Sequence, residues 1–337
     1  YRVLQKIELL QQMGCNCDVS DYRDIPRVFN KMQLATLVIF YRIPDDDLFR
    51  LFMKEAERLK IRTGYDIDDP IFAPDVYAQN KNLDTLTKEE KKHLLASSPR
   101  YSDAMKQCEF VSVSTPGMRE LASACFDGPI ILWRNVLDGE TLSIVAGLDQ
   151  PVNSGFDSDK IVIAYMSGSR AHDADFSTIE PVLSGILADY PNAQLMVCGY
   201  ASITGELQPY TDQIKQFSFS GYAGYFNHLE QADICVVPLL LDRFNECKSA
   251  IRYLEAAVLG VPTIASKIGD FRNLIVSGEN GILAETTDEW DAALRKLITD
   301  RKFRTKLREN SRRFVMEKQT VNALSKSMQN EFSYLLY

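Results

Sequence analysis

The strongest constraint on this chain is an alternation. Short runs of β-branched and apolar residues recur along it, and each is followed by a stretch with apolar residues at helical spacing. That pattern builds parallel sheets whose connections are helices lying on the sheet faces. In the first half the predicted strands are 17–22, 36–42, 62–67, 110–115 and 129–135, with helices over 2–13, 45–60, 87–107 and 116–125. In the second half strands are predicted at 160–168, 193–199, 217–222, 233–240, 262–266 and 281–285. Helices fit 176–189, 224–231, 248–259, 287–299, 302–316 and 319–335.

Residues 136–158 hold Gly, Pro, Asn and Ser without clear periodicity and read as a linker. The expected fold class is therefore α/β, with two Rossmann-like domains facing each other across a cleft. The first covers 1–150, the second 151–318, and a last helical segment spans 319–337. The chain opens on a helix where a doubly wound sheet normally opens on a strand. This predicts that roughly ten to twenty residues of the natural first domain precede Tyr1.

Composition excludes several classes of protein. Of 337 residues, 45% are hydrophobic and 25% charged, as in a soluble globular protein. The longest apolar runs, 34–41 and 234–241, are far shorter than the ~20 residues a membrane span needs. The net charge of −8 is shared equally by the two halves, so neither is a basic platform for nucleic acid. The basic run 301–314 reads as a solvated helix face, with docking to anionic lipid or another partner as the alternative. Seven cysteines, odd in number and without a CxxC pair, suit reduced thiols in a cytoplasmic protein. With only three histidines, no metal site is expected.

In open α/β sheets ligands bind beyond the carboxyl ends of strands, and anions favour helix N-termini. Several unusual residues pass that filter. In FNECKSAIRYLEAAVLG (244–260), Asn245, Lys248 and Ser249 stand at the mouth of a predicted helix. Glu255 lies two turns deeper on nearly the same face as Lys248. A diphosphate at the mouth and ribose hydroxyls on Glu255 would account for that placement better than a solvent-face Lys–Glu pair bridged by Arg252. In YMSGSRAHDADF (165–176), Gly168 and Ser169 form the turn after a strand, and Arg170 can reach a diphosphate. Asp175 is the expected N-cap of the helix that follows. In the first half, Asp66, Asp68 and Asp69 crowd a strand end and could orient or deprotonate an acceptor hydroxyl. Arg42 and Thr115, also at strand ends, are acceptor-side candidates.

These stretches together resemble the GT-B fold glycosyltransferases, similar to glycosyltransferase family 4 and its bacterial polysaccharide and glycoprotein relatives. The resemblance rests on SGSRAHDADF, ADICVVPLL, FNECKSAIRYLEAAVLGVPTIAS and SGENGILAE, and in the first half on YDIDDPIF, VSVST and WRN. It implies a nucleotide-sugar donor held by the second domain, an acceptor held by the first, and a C-terminal helix crossing back onto the first domain. It also implies transfer with retention and no required metal or other cofactor. Glu255 matches the second Glu of the family's Glu-x7-Glu element, and Arg170 matches its diphosphate-binding Arg. Two departures stand out: the first Glu position holds Cys247, and the Lys that normally follows the Arg is absent.

The function expected is transfer of a sugar from a nucleoside diphosphate to a hydroxyl on a glycan, lipid-linked or glycoprotein acceptor. The place expected is the cytoplasm, with peripheral contact allowed at the inner membrane face. The rival readings are a nucleotide-sugar epimerase or hydrolase, and a non-catalytic domain of a longer glycosylation protein.

Overall fold

The computed structural model describes residues 2–148, 160–168, 173–201, 203, 205–218, 221–326 and 328. The chain begins with α1 (Arg2–Gln12), α2 (Ile25–Met32), β1 (Leu37–Tyr41), α3 (Asp47–Leu59) and β2 (Arg62–Ile67). It continues through α4 (Pro74–Ala78), α5 (Lys88–Lys106), β3 (Phe110–Val113), α6 (Pro116–Ser123), β4 (Ile130–Leu132) and α7 (Gly139–Ala146). The four strands form one parallel sheet in the order β1-β2-β3-β4.

The second half comprises β5 (Ile161–Ser167), α8 (Asp173–Ser177), α9 (Glu180–Asp189), β6 (Ala193–Gly199), β7 (Ile214–Phe217) and α10 (Gly221–Leu229). After these come β8 (Ile234–Val237), α11 (Ile251–Val258), β9 (Thr263–Ser266), α12 (Phe271–Leu274), β10 (Ile282–Ala284), α13 (Thr287–Thr299) and α14 (Arg301–Lys318). Its six parallel strands run β10-β9-β8-β5-β6-β7. The chain builds outward from β5 through β6 and β7, then returns to the other side of β5 with β8. The strand order reverses between β5 and β8, which is where such sheets leave a crevice. Apolar clusters cover both faces of this sheet: one includes Phe226, Tyr253 and Phe271, the other Phe176, Leu195 and Trp290.

Most predicted strands are present, but four expectations need correction. Residues 17–22 are not a strand; Val19 is half exposed and the surrounding aspartates have no sheet to join. Their place before β1 is taken by α2, which Asp24 caps at Arg27 N. The strand expected at 217–222 ends at Phe217, and Gly221 (φ +77°) opens α10. Residues 176–189 divide into α8 and α9, because Pro181 lacks an N–H and starts a new helix. The presumed linker contains α7, capped by Asp138, with Leu142, Ile144 and Val145 packed on the second domain's core.

After α14 the chain returns toward the first sheet. Leu137 N donates to Gln319 O and Val321 N to Leu137 O. Val321, Leu324 and Met328 pack with Leu9, Leu10, Trp133 and Val136. No helix among the described residues is long and apolar enough to cross a membrane.

Helix α1 is held by charge as well as by apolar contact. The Arg2 guanidinium grips the Asp66 carboxylate through two bonds of 2.7 and 2.8 Å. Lys6 Nζ lies 3.1 Å from the same carboxylate, and the Ser112 hydroxyl donates to it. Asp66 is 1% exposed. Burial alone would raise its pKa, but Arg2 and Lys6 outweigh burial and hold it at about 2. Burial, reinforced by Arg2, pushes the Lys6 ammonium well below its usual range.

Asp66→Asn leaves a buried guanidinium without its counter-charge, so denaturant unfolding should show a loss of about 3–5 kcal/mol. The folded-state pKa is depressed, so the carboxylate's contribution is complete above the unfolded carboxylate pKa of about 4. It is lost as pH falls toward about 2. The stability gap between the two proteins should narrow over that interval. A gap independent of pH would exclude this ion pair as its cause.

Candidate active site between the domains

The carboxyl ends of both sheets face a shared cavity of about 220 Å³. The second domain contributes Tyr165 and Met166 from β5, Cys235–Leu239 from the end of β8, and Lys248, Ser249, Ile251 and Arg252 at the start of α11. The first domain contributes Asp68, Asp69 and Asn135. The cavity therefore occupies the crevice where the second sheet's strand order reverses. Its volume is below the ~300–1,000 Å³ of small-molecule sites, so a ligand of nucleotide size requires the cleft to widen.

Polar links cross the cleft around this cavity. Lys248 Nζ donates to Asp69 at 2.8 Å. Asn135 Nδ2 donates to Ser249 Oγ at 3.0 Å, while Asn135 Oδ1 accepts from Arg2 at 2.6 Å. Arg134 pairs with Asp270. Thr115 Oγ1 donates to the Cys247 carbonyl at 2.9 Å. A Cβ on Gly117 would sit 2.7 Å from the Glu246 carbonyl oxygen, so only glycine permits this approach of α6. Farther out, the Tyr77 and Phe244 rings stack at 5.9 Å beside Val76 and Leu83.

The candidate residues separate once placed. Asp68 and Asp69 face the cavity, whereas Asp66 is turned away and bound by Arg2, Lys6 and Ser112, which leaves it no role on a substrate. Asp66 and Asp68 thus face different cations. Among the described residues, no group of three or more His, Cys, Asp or Glu side chains is arranged to hold a metal ion. Arg42 adopts the left-handed conformation (φ +50°) and pairs with both Asp68 and Asp69. Lys248 and Arg42 outweigh the effect of burial and hold Asp69 well below the usual carboxylate range, so it is ionised and a weak base.

Thr115 is fully buried; it caps α6 at Met118 N and ties the two domains rather than facing the cavity. Asn245 is likewise buried, donating to the Asp175 carboxylate and the Leu240 carbonyl. Asp175 is not an N-cap. It lies inside α8 and accepts from Leu240 N, Asn245 and Asn82. Ser169 and Arg170 lie outside the described residues.

Glu255 sits within α11, 7% exposed, and accepts a hydrogen bond of 2.8 Å from the Tyr225 hydroxyl. Burial pushes its pKa up, opposed by Arg252 and by the Tyr225 bond. Gly168 follows β5, and its missing side chain leaves room for the Arg252 guanidinium, whose Nη2 would lie 3.3 Å from a Cβ there. Burial pushes the Cys235 thiol up to about 12, so although it lines the cavity it stays protonated at neutral pH. The residues that sequence reasoning missed are Asn135, which WRN contained without an assigned role, Tyr225 and Arg252. Arg252 was legible as a charge on the right helix, but only as a bridge between neighbours.

Residues 172–300 match the family model described as Glycosyl transferases group 1. No curated protein sequence matches the chain. Among solved structures, the chain is similar to sucrose-phosphate synthase from Thermosynechococcus elongatus, with TM-score 0.62 and 15% identity over 94% of this chain and 79% of that one. It is also similar to Anabaena Alr3699/HepE in complex with UDP-glucose, with TM-score 0.62 and 14% identity over 92% and 81%. A third likeness is WaaG, a glycosyltransferase involved in lipopolysaccharide biosynthesis, with TM-score 0.61 and 14% identity over 93% and 96%. The fold is the two-domain GT-B fold, as the sequence resemblance implied, and the group 1 pattern falls on the domain carrying Glu255.

The Asp69–Lys248 link can be measured directly. A double-mutant cycle on Asp69→Ala and Lys248→Ala, read by denaturant unfolding, should return a coupling of about 1–2 kcal/mol. Additive effects would show that the cleft is not held by this pair in solution.

Proposed function

We propose that this GT-B glycosyltransferase moves a sugar from a nucleoside diphosphate to an acceptor hydroxyl, with the donor on the second domain and the acceptor on the first. One observation carries this reading. A buried carboxylate, Glu255, stands on α11 one turn beyond Arg252, which lines the switch-point cavity with Lys248 just ahead of the helix, while Asp68 and Asp69 face the cavity from the other domain. A buried carboxylate fixed through one oxygen by Tyr225 has its other oxygen to offer a ribose hydroxyl. The α11 N-terminus has no side-chain cap, so its first N–H groups suit the diphosphate. Lys248 stands at the same mouth and exchanges Asp69 for phosphate as the cleft widens.

Chemically, the leaving diphosphate needs its developing charge neutralised, and this chain does so with fixed cations and helix dipole. We read the reaction as metal-independent on that ground. Asp68, at the cavity and oriented by Arg42 and Tyr41, is the carboxylate placed to align the acceptor hydroxyl. Family likeness favours retention by front-side attack, and a glycan, lipid-linked or glycoprotein acceptor. It also favours the cytoplasm, with contact at the inner membrane face, as the setting.

The test is a thermal-shift panel of UDP, GDP, dTDP and CMP, with and without EDTA, on the wild type and on Glu255→Ala. UDP comes first because HepE was solved with UDP-glucose. A nucleotide at about 100 times its Kd adds about 2.7 kcal/mol, a shift of several degrees. The expected result is stabilisation by one nucleotide, unaffected by EDTA and lost in Glu255→Ala. Stabilisation by none of them overturns the reading in favour of a non-catalytic domain.

A further inference from the structure

We propose that Arg252 is a diphosphate-binding residue of this site. The inference rests on the donor-site reading above and adds to it a residue and a division of labour among the cations.

Charges around the cavity are mostly paired. Arg42 is held by Asp68 and Asp69, Arg134 by Asp270, and Lys248 by Asp69. Arg252 lines the same cavity and, among the described residues, forms no salt bridge. The nearby charged group with which it interacts is Glu255, and its guanidinium packs 5.8 Å over the Tyr225 ring. A guanidinium drawn out of bulk water without a paired carboxylate is costly unless an anion arrives.

Position supplies the second part. Arg252 is in the first turn of α11, and that helix begins at Ala250 with no side-chain cap. Its Nη2 reaches beneath Gly168 just after β5, on one side of the reversal point, while Cys235–Leu239 wall the other side. An anion seated there meets helix N–H groups and a planar fork able to bind two phosphate oxygens. Glu255 lies one turn onward, which places phosphate and ribose in the order a nucleotide presents them.

Geometry also separates Arg252 from Lys248. Lys248 must release Asp69 before it can touch a ligand, so its contribution is tied to the cleft opening. Arg252 needs no such exchange. It is supported from behind by Tyr225, whose hydroxyl simultaneously fixes Glu255. The aromatic ring thus orients both the phosphate-binding and the ribose-binding side chains.

The experiment measures affinity by calorimetry for UDP, UMP, uridine and inorganic pyrophosphate, on the wild type, Arg252→Gln and Arg252→Lys. Wild type should bind UDP more tightly than uridine. Arg252→Gln should weaken UDP and pyrophosphate at least tenfold while leaving uridine within about twofold, so that the advantage of the diphosphate collapses. Arg252→Lys, which keeps charge but loses the fork, should fall between. It also decides the matter if the Gln variant fails to fold. Equal weakening of UDP and uridine would reduce Arg252 to a packing role, and an unchanged UDP-to-uridine ratio in both variants would overturn the proposal. Failure of the wild type to bind any of these four probes, together with no stabilisation by GDP, dTDP or CMP, would instead overturn the functional reading on which it rests.

Discussion

The interaction on which the rest of this structure depends is the buried contact between Arg2 and Asp66. A carboxylate at the end of β2 is stable there only because a guanidinium from α1 surrounds it and because Ser112 adds a hydrogen bond. The same guanidinium binds the Trp133 carbonyl and Asn135, so it sets the path of the chain leaving β4. Asn135 then donates to Ser249 on the second domain. Four side chains in series thus run from the core of one sheet to the mouth of the other domain's site. Removing the first member leaves the others without a fixed geometry.

The cleft is organised by opposed charge. The first domain presents Asp68 and Asp69, and the second presents Lys248 and Arg252. Without a ligand, part of this charge is neutralised across the cleft, which holds the domains together around a small cavity. A diphosphate would substitute for the carboxylates as partner of the cations. On the proposed reading, closure and donor binding would compete for some of the same groups, and the two cations would have different roles.

Much of the fold was legible because parallel β-strands buried on both faces have a strong sequence signature. The predicted 62–67 and 193–199 coincide with β2 and β6, and 287–299 coincides with α13. Misreadings came where apolar content and burial diverged. Residues 17–22 look strand-like but have no neighbour to pair with, and α7 looks like a linker because its apolar face is short and packs on another domain. The sequence reading placed Lys248, Ser249, Asp68 and Asp69 at strand and helix ends, and these residues line the cavity. The site was misread at Asp66, Thr115 and Asn245, all polar residues at suitable positions whose hydrogen bonds turn inward.

By itself the sequence determined the α/β class, the two sheets and the helix that borders the cavity. These follow from local periodicity and from the rule that strand ends face a cleft, and both are properties of segments. Tertiary structure alone decided which polar groups are free to meet a ligand. Asp66 and Asp69 are three residues apart, yet one meets Arg2 from the chain's start and the other Lys248 from the far domain. Lys248 and Arg252 are four apart, one just before α11 and one in its first turn, yet among the described residues the first is in a salt bridge with a carboxylate and the second is not. The availability of a charge depends on partners that are remote in sequence, because electrostatic pairing acts through space and burial magnifies it.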